Sequence, residues 1–235
     1  MIRAALFDFG GVILSSPFDA FAALERDQGL PEGFIRRVNA TDPHDNAWAQ
    51  LERSEIGIER FCTLFEAEAR ALGHEVRGAD VLGCLGGEVR PAMVAAVQRC
   101  GERLRTGLLT NNFVTPEGPP AHRGDPSVSD GDGSGGGPEP AIEAAAGSRA
   151  EELAGIVALF DVVVESSVVG VRKPDPRFYG IACERLSIEP EEAVFLDDLG
   201  VNLKPARAMG MTTIKVTDPA QALAELESVV GFPLT

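Results

Sequence analysis

Short apolar runs punctuate this chain, and most of them stop on a polar residue. Ala4 to Phe7 runs into Asp8 and then Gly10-Gly11, Thr106 to Leu109 into Thr110, and Ala193 to Leu196 into Asp197-Asp198; Asp161 to Val164 and Thr212 to Val216 have the same form. Continuous apolar runs of this length predict strands buried on both faces. Helical patterns lie beside the later runs, among them Arg149 to Leu159. The alternation predicts an α/β fold, a doubly wound Rossmann-like parallel sheet.

After the first run the period changes. Phe18, Phe21, Ala22 and Leu24, then Phe34, Ile35 and Val38, then Ile58, Phe61, Cys62, Leu64, Phe65, Ala69 and Leu72 recur three and four residues apart, with Gly73 placed to end the longest helix. This predicts an inserted helical cap over 18–89, with an α/β core built from 1–17 and 90–235. Phe18, Phe21, Trp48 and Phe61 are expected in the cap's own core. Residues 116–140 hold seven glycines, six prolines and one larger aliphatic, Val128. Such a segment buries too little apolar surface to offset the cost of ordering, so a flexible low-complexity loop within the core is expected.

Composition narrows the partners. The 235 residues include 21 Lys and Arg against 36 Asp and Glu, a formal net charge of −15. So acidic a chain repels nucleic acid and anionic membranes. No run of about 18 apolar residues exists to span a bilayer, and with the first apolar run cut short by Asp8 no signal peptide is expected. Cys62, Cys84, Cys100 and Cys183 are scattered, as are the three histidines, so neither a zinc site nor a disulfide framework is written here. Reduced, mostly buried thiols in a cytoplasmic protein are expected. The oligomeric state is left open.

Chemistry in open α/β sheets gathers past the carboxyl ends of strands. Those positions here are Asp8, Thr110 with Asn111, and Asp197 with Asp198, joined by Lys173 in a Gly170-x-x-Lys173-Pro174 turn. Carboxylates brought to one point repel unless a cation sits among them, and oxygen-only ligands suit Mg²⁺.

The motifs Asp8-Phe9-Gly10-Gly11-Val12-Ile13, Leu108-Leu109-Thr110-Asn111, Lys173-Pro174-Asp175-Pro176 and Phe195-Leu196-Asp197-Asp198 together resemble those of the haloacid dehalogenase (HAD) superfamily. Val164-Glu165-Ser166, Asn202 to Arg207 and the cap fragment Trp48-x-x-Leu51-Glu52-x-x-Glu55-Ile56 are most similar to the phosphatase-type N-terminal domain of soluble epoxide hydrolase. Related domains fused to acyl-CoA dehydrogenases are similar too. The resemblance implies a hydrolase of small phosphorylated molecules, with Asp8 as nucleophile forming an aspartyl-phosphate. It implies that Thr110 and the amide of Asn111 hold the phosphoryl oxygens and that Lys173 neutralises nucleophile and phosphate. It also implies Mg²⁺ held by Asp8, the Gly10 carbonyl and Asp198, with Asp197 acting through water. Asn202 is expected to cap or anchor a loop.

One position departs from that pattern. Phosphatases of the superfamily carry a second Asp two residues after the nucleophile, to protonate the leaving alkoxide and then activate water; here Gly10 stands in its place. General acid–base catalysis is worth about 10²–10⁴-fold, so weak or leaving-group-restricted turnover is expected. Glu88 or Asp19 are possible replacements. A non-catalytic ligand-binding module is the alternative. A haloacid dehalogenase is a further one, although the Asp197-Asp198 pair points to a metal that such enzymes do not need.

Overall fold

The computed structural model describes residues 1–113 and 140–234. The stretch 116–139, most of the expected loop, lies outside the described residues. Five parallel strands, β1 (Ala4–Phe7), β2 (Arg105–Thr110), β3 (Val162–Glu165), β4 (Ala193–Asp197) and β5 (Thr212–Lys215), form one sheet in the order β3-β2-β1-β4-β5. Every expected strand is present, with ends shifted by a residue or so. β1 lies at the centre, and the chain winds outward from it first to one edge and then to the other. This puts the carboxyl ends of β1, β2 and β4 side by side, which is where such sheets open a crevice.

The pleat sorts the side chains of β1 onto two faces. Ala5 and Phe7 join a core with α6 (Pro91–Gly101), α7 (Pro140–Val157) and α11 (Pro219–Val230), while Ala4 and Leu6 join another with α9 (Pro176–Leu186) and α10 (Gly200–Ala208). All four residues of β1 are fully buried. Burying one Leu or Phe side chain contributes about 1.5–3 kcal/mol, so the strand that ends in Asp8 is anchored from both sides. Helix α7 begins at Pro140, ahead of the expected Arg149. The Ala-rich stretch before Arg149 has high helix propensity but no apolar period to reveal it.

Residues 17–83 form α1 (Pro17–Asp27), α2 (Phe34–Ala40), α3 (Ala47–Glu52), α4 (Ile58–Ala71) and α5 (Gly78–Gly83). They surround a hydrophobic cluster of their own, with Phe21, Phe34, Leu51, Phe61 and Phe65 buried and Phe18 and Trp48 partly so. Gly73 ends α4's C-terminal turn at φ +92°. This helical layer joins the sheet through two adjacent strands of linker. Leu14 bridges Val89, the Ser15 amide donates to the Glu88 carbonyl at 2.7 Å, and the Glu88 amide donates to Ser15 Oγ at 2.9 Å. Phe113, just past β2, packs against the layer from below. Among the described residues no helix is long and apolar enough to cross a membrane.

Candidate active site

Asp8 ends the central strand in extended backbone (φ −73°, ψ 166°), and its Oδ1 accepts from the Phe9 amide at 2.7 Å. The next turn closes with the Leu14 amide donating to the Phe9 carbonyl at 2.9 Å. Its two glycines differ. Gly10 lies at φ −69°, ψ 131°, open to any residue, and a Cβ there would meet nothing within 4 Å. Gly11 lies at φ +80°, and a Cβ there would come within 2.2 Å of Asp198 Oδ2. Only Gly11 is required, because Asp198 packs directly on its backbone.

Lys173 crosses to Asp8 from the turn after β3. Its Nζ lies 2.7 Å from Asp8 Oδ1 and 2.9 Å from Asp197 Oδ2, with no exposed side-chain surface. Its backbone is clamped by Asn111, whose Oδ1 accepts from the Lys173 amide at 2.9 Å and whose Nδ2 donates to the Lys173 carbonyl at 3.1 Å. The side chain of Asn111 thus holds Lys173, a role beyond the one expected of its amide. Thr110 keeps its hydroxyl nearly free, with one 3.5 Å contact to the Asn111 carbonyl. Asn112 pins this loop to the end of β3, its Nδ2 donating to Glu165 at 2.6 Å and its Oδ1 accepting from Ser167 Oγ at 2.8 Å.

The two acids after β4 are held differently. Asp197 is fully buried: Oδ1 accepts from the Leu199 amide (2.8 Å) and Asn202 Nδ2 (3.1 Å), and Oδ2 accepts from Lys173 Nζ (2.9 Å) and the same Nδ2 (3.1 Å). Asp198 has a single side-chain partner among the described residues, Ser16 Oγ, which donates to Oδ2 at 3.2 Å. Of the two roles expected of Asn202, cap or loop anchor, its contacts fit the second. Leu199 takes the cap position of α10, while Asn202 is buried, grips Asp197, and accepts the Tyr179 hydroxyl on its own carbonyl at 2.6 Å. Tyr179 and Asn112 carry no sequence signal that separates them from ordinary packing residues. Asp19 and Glu88, the two acids suggested in place of one at position 10, are exposed.

One carboxylate oxygen from each of Asp8, Asp197 and Asp198 lies within 4.8 Å of the others. Three buried or half-buried carboxylates share one ammonium. Burial, together with the charges of Asp197 and Asp198, pushes Asp8 well above the usual carboxylate range even against the pull of Lys173. Burial and Asp197 likewise raise Asp198, with Ser16 working against them. Burial alone would lower Lys173, but Asp197 and Asp8 outweigh it and hold the ammonium above its ordinary value. Hard oxygen donors with surplus negative charge in a confined space fit Mg²⁺.

A family model for haloacid dehalogenase-like hydrolases matches residues 2–210. Over 99% of its length the chain is 32% identical to mouse acyl-CoA dehydrogenase family member 10 and 31% identical to pig bifunctional epoxide hydrolase 2. It spans only 19% and 40% of those two proteins. It is 26% identical to validoxylamine A 7'-phosphate phosphatase of Streptomyces hygroscopicus subsp. limoneus, over 97% of this chain and 92% of that one. Its fold matches a HAD-like family hydrolase of Porphyromonas gingivalis with TM-score 0.59 at 20% identity, over 98% of both chains. It also matches a HAD hydrolase of Bacillus subtilis bound to magnesium, with TM-score 0.56 at 17% identity, over 98% of this chain and 99% of that one. Matched along nearly its whole length, the chain belongs to the haloacid dehalogenase-like hydrolase family.

Proposed function

We propose that the chain hydrolyses small phosphorylated molecules through a phosphoryl group carried on Asp8, with substrates whose leaving group needs no proton favoured. The observation that carries this is Lys173 Nζ set 2.7 Å from Asp8 at the end of the central strand, beside a second pair of acids. A phosphatase among the relatives supports it. The Asp8 carboxylate attacks phosphorus as the bond to the leaving oxygen breaks, and the electron pair departs on that oxygen. Lys173 balances the charge on Asp8 and on the phosphoryl oxygens, and the Thr110 hydroxyl with the Asn111 amide binds those oxygens. Asp8, Asp198 and the Gly10 carbonyl would hold Mg²⁺, which when bound offsets the repulsion between carboxylate and phosphate. Asp197 would reach it through water. Water then attacks phosphorus, the bond from phosphorus to Asp8 breaks, and inorganic phosphate leaves carrying the oxygen and protons of that water.

Gly10 offers no side chain to protonate the leaving oxygen or to activate that water. The carboxylate of an acyl phosphate and the aryloxide of an aryl phosphate leave without a proton, and the alkoxide of an alkyl phosphate does not. On the same reading 18–89 form the cap and 1–17 with 90–235 the core. The experiment is phosphate release from acetyl phosphate, an aryl phosphate and alkyl phosphates, with and without Mg²⁺, beside halide release from 2-haloacids. Mg²⁺-dependent release from the first two is expected. Binding of phosphate without turnover of any substrate would point to the ligand-binding module, and halide release to a dehalogenase.

A further inference from the structure

Lys173 sits on a turn that is gripped from two directions. Asn111 holds its backbone from β2, as described above. The second grip comes through its neighbour, Arg172, which leaves the core and enters the helical layer. Arg172 Nε lies 2.5 Å from Glu52 Oε2, and Arg172 Nη1 donates to the Pro43 carbonyl at 3.2 Å. Glu52 ends α3, and Pro43 lies in the connection between α2 and α3. The other oxygen of Glu52 accepts from the indole Nε1 of Trp48, one turn back on the same helix, at 2.9 Å. That indole packs edge-on against Phe21 and Phe61, at 6.5 and 5.3 Å between ring centroids, inside the layer's aromatic core.

Rigid core, indole, carboxylate, guanidinium and lysine turn thus form one continuous chain of contacts. The side chains of Arg172 and Glu52 are only 20% and 10% exposed. An exposed ion pair would be screened and loosely held, whereas one this deep leaves a stranded charge if it parts. The guanidinium fork touches both a carboxylate and a carbonyl of the layer, which a lysine cannot do in the same geometry. Burial pushes the Glu52 carboxyl up, against the opposing pull of Arg172 and Trp48.

We infer that Glu52 and Arg172 are positioning residues, an ion-pair strut by which the helical layer holds the turn that sets the Lys173 ammonium on Asp8. Its effect on rate rests on the phosphoryl chemistry proposed above; the strut itself does not.

The whole chain serves as the test object. Trp48 is the single tryptophan, so its indole N–H gives one proton resonance that reads the strut without turnover. Glu52→Gln, Arg172→Met and Arg172→Lys are compared with wild type by that resonance, by cooperative thermal unfolding, and by kcat and KM on acetyl phosphate with Mg²⁺. The resonance is expected to move in Arg172→Met, although Arg172 does not hydrogen-bond the indole, and to return part of the way in Arg172→Lys. A misplaced catalytic group is costly, so kcat should fall about tenfold or more in Glu52→Gln and Arg172→Met. KM should stay within about twofold, and Arg172→Lys should recover part of kcat. A folded Arg172→Met with the indole resonance unmoved, or a folded Glu52→Gln with wild-type kcat, overturns the inference. If wild type turns over no acetyl phosphate, the phosphoryl chemistry is contradicted instead, and the strut stands or falls on the resonance. Should the single variants not fold, Glu52→Met with Arg172→Met removes both charges together and is judged by the same two readouts.

Discussion

Two adjacent glycines follow Asp8, and their substitutions should fail or succeed for opposite reasons. Gly10 has φ −69° and open space where a Cβ would stand. Gly10→Asp is therefore free of backbone strain and supplies the carboxyl that the family's phosphatases place there. The rate at which alkyl phosphates transfer their phosphoryl group to Asp8 should rise by about 10-fold or more, within the range of general acid catalysis, while transfer from acetyl phosphate changes far less. Equal change in the two transfer rates, read by acid quenching within a single turnover, would contradict a missing-acid origin. Gly11→Ala should do the reverse. Left-handed backbone costs a β-carbon about 1 kcal/mol or more, and the added atom would lie 2.2 Å from Asp198 Oδ2. Calorimetric titration should show Mg²⁺ affinity lost in Gly11→Ala and kept in Gly10→Ala. A Gly-Gly pair reads as a turn in the sequence, but which glycine the turn requires depends on Asp198, which is distant in sequence and seen only once the strands are paired.

At the scale of elements, the turn after β4 divides two adjacent acids between two tasks. Both oxygens of Asp197 already accept from Lys173, Asn202 or the Leu199 amide, and Asp198 is tied only by Ser16 among the described residues. Asp198→Ala should weaken Mg²⁺ binding more than Asp197→Ala, whose main damage should be a displaced Lys173 and a lost kcat. Titration calorimetry giving the opposite order would reassign the two acids. The strand-end residues were legible because apolar runs stop on them, and the spacing of three and four residues revealed the helical layer. Whether Asn202 caps or anchors was not legible, for a physical reason. An Asn near a helix start has the same sequence appearance whether its side chain caps the helix or, as here, turns inward to a buried carboxylate. The Asn111 clamp and the Glu52–Arg172 pair were hidden likewise, since each joins residues from different elements. The Pro140 start of α7 was missed because alanines favour a helix without marking a face.

Across the whole molecule, three hydrophobic clusters, two on the sheet's faces and one in the helical layer, meet at a site with more carboxylates than ammonium groups. Burial pushes the Asp8 carboxyl well above the usual carboxylate range and also pushes Asp198 up. Groups raised in this way favour the folded state below the ordinary carboxylate pKa, and the advantage is lost as pH rises through the raised values. Without Mg²⁺ the melting temperature should therefore fall as pH climbs above the ordinary carboxylate pKa of about 4, and Mg²⁺ should restore it. Asp8→Asn should melt higher than wild type at neutral pH without Mg²⁺, by about 2–4 °C per kcal/mol of relieved repulsion. A lower melting temperature would show that the Asp8–Lys173 attraction dominates. The same Asp8 is the proposed nucleophile, and Gly10 leaves no base to activate the water that frees it, so the phosphorylated enzyme should accumulate. Acid quenching of the Mg²⁺-loaded chain during turnover of acetyl phosphate, followed by peptide mass analysis, tests this most directly. The expected result is a phosphoryl group on Asp8, absent from Asp8→Asn; phosphate released with Asp8 never modified, or modified only on another residue, would contradict it.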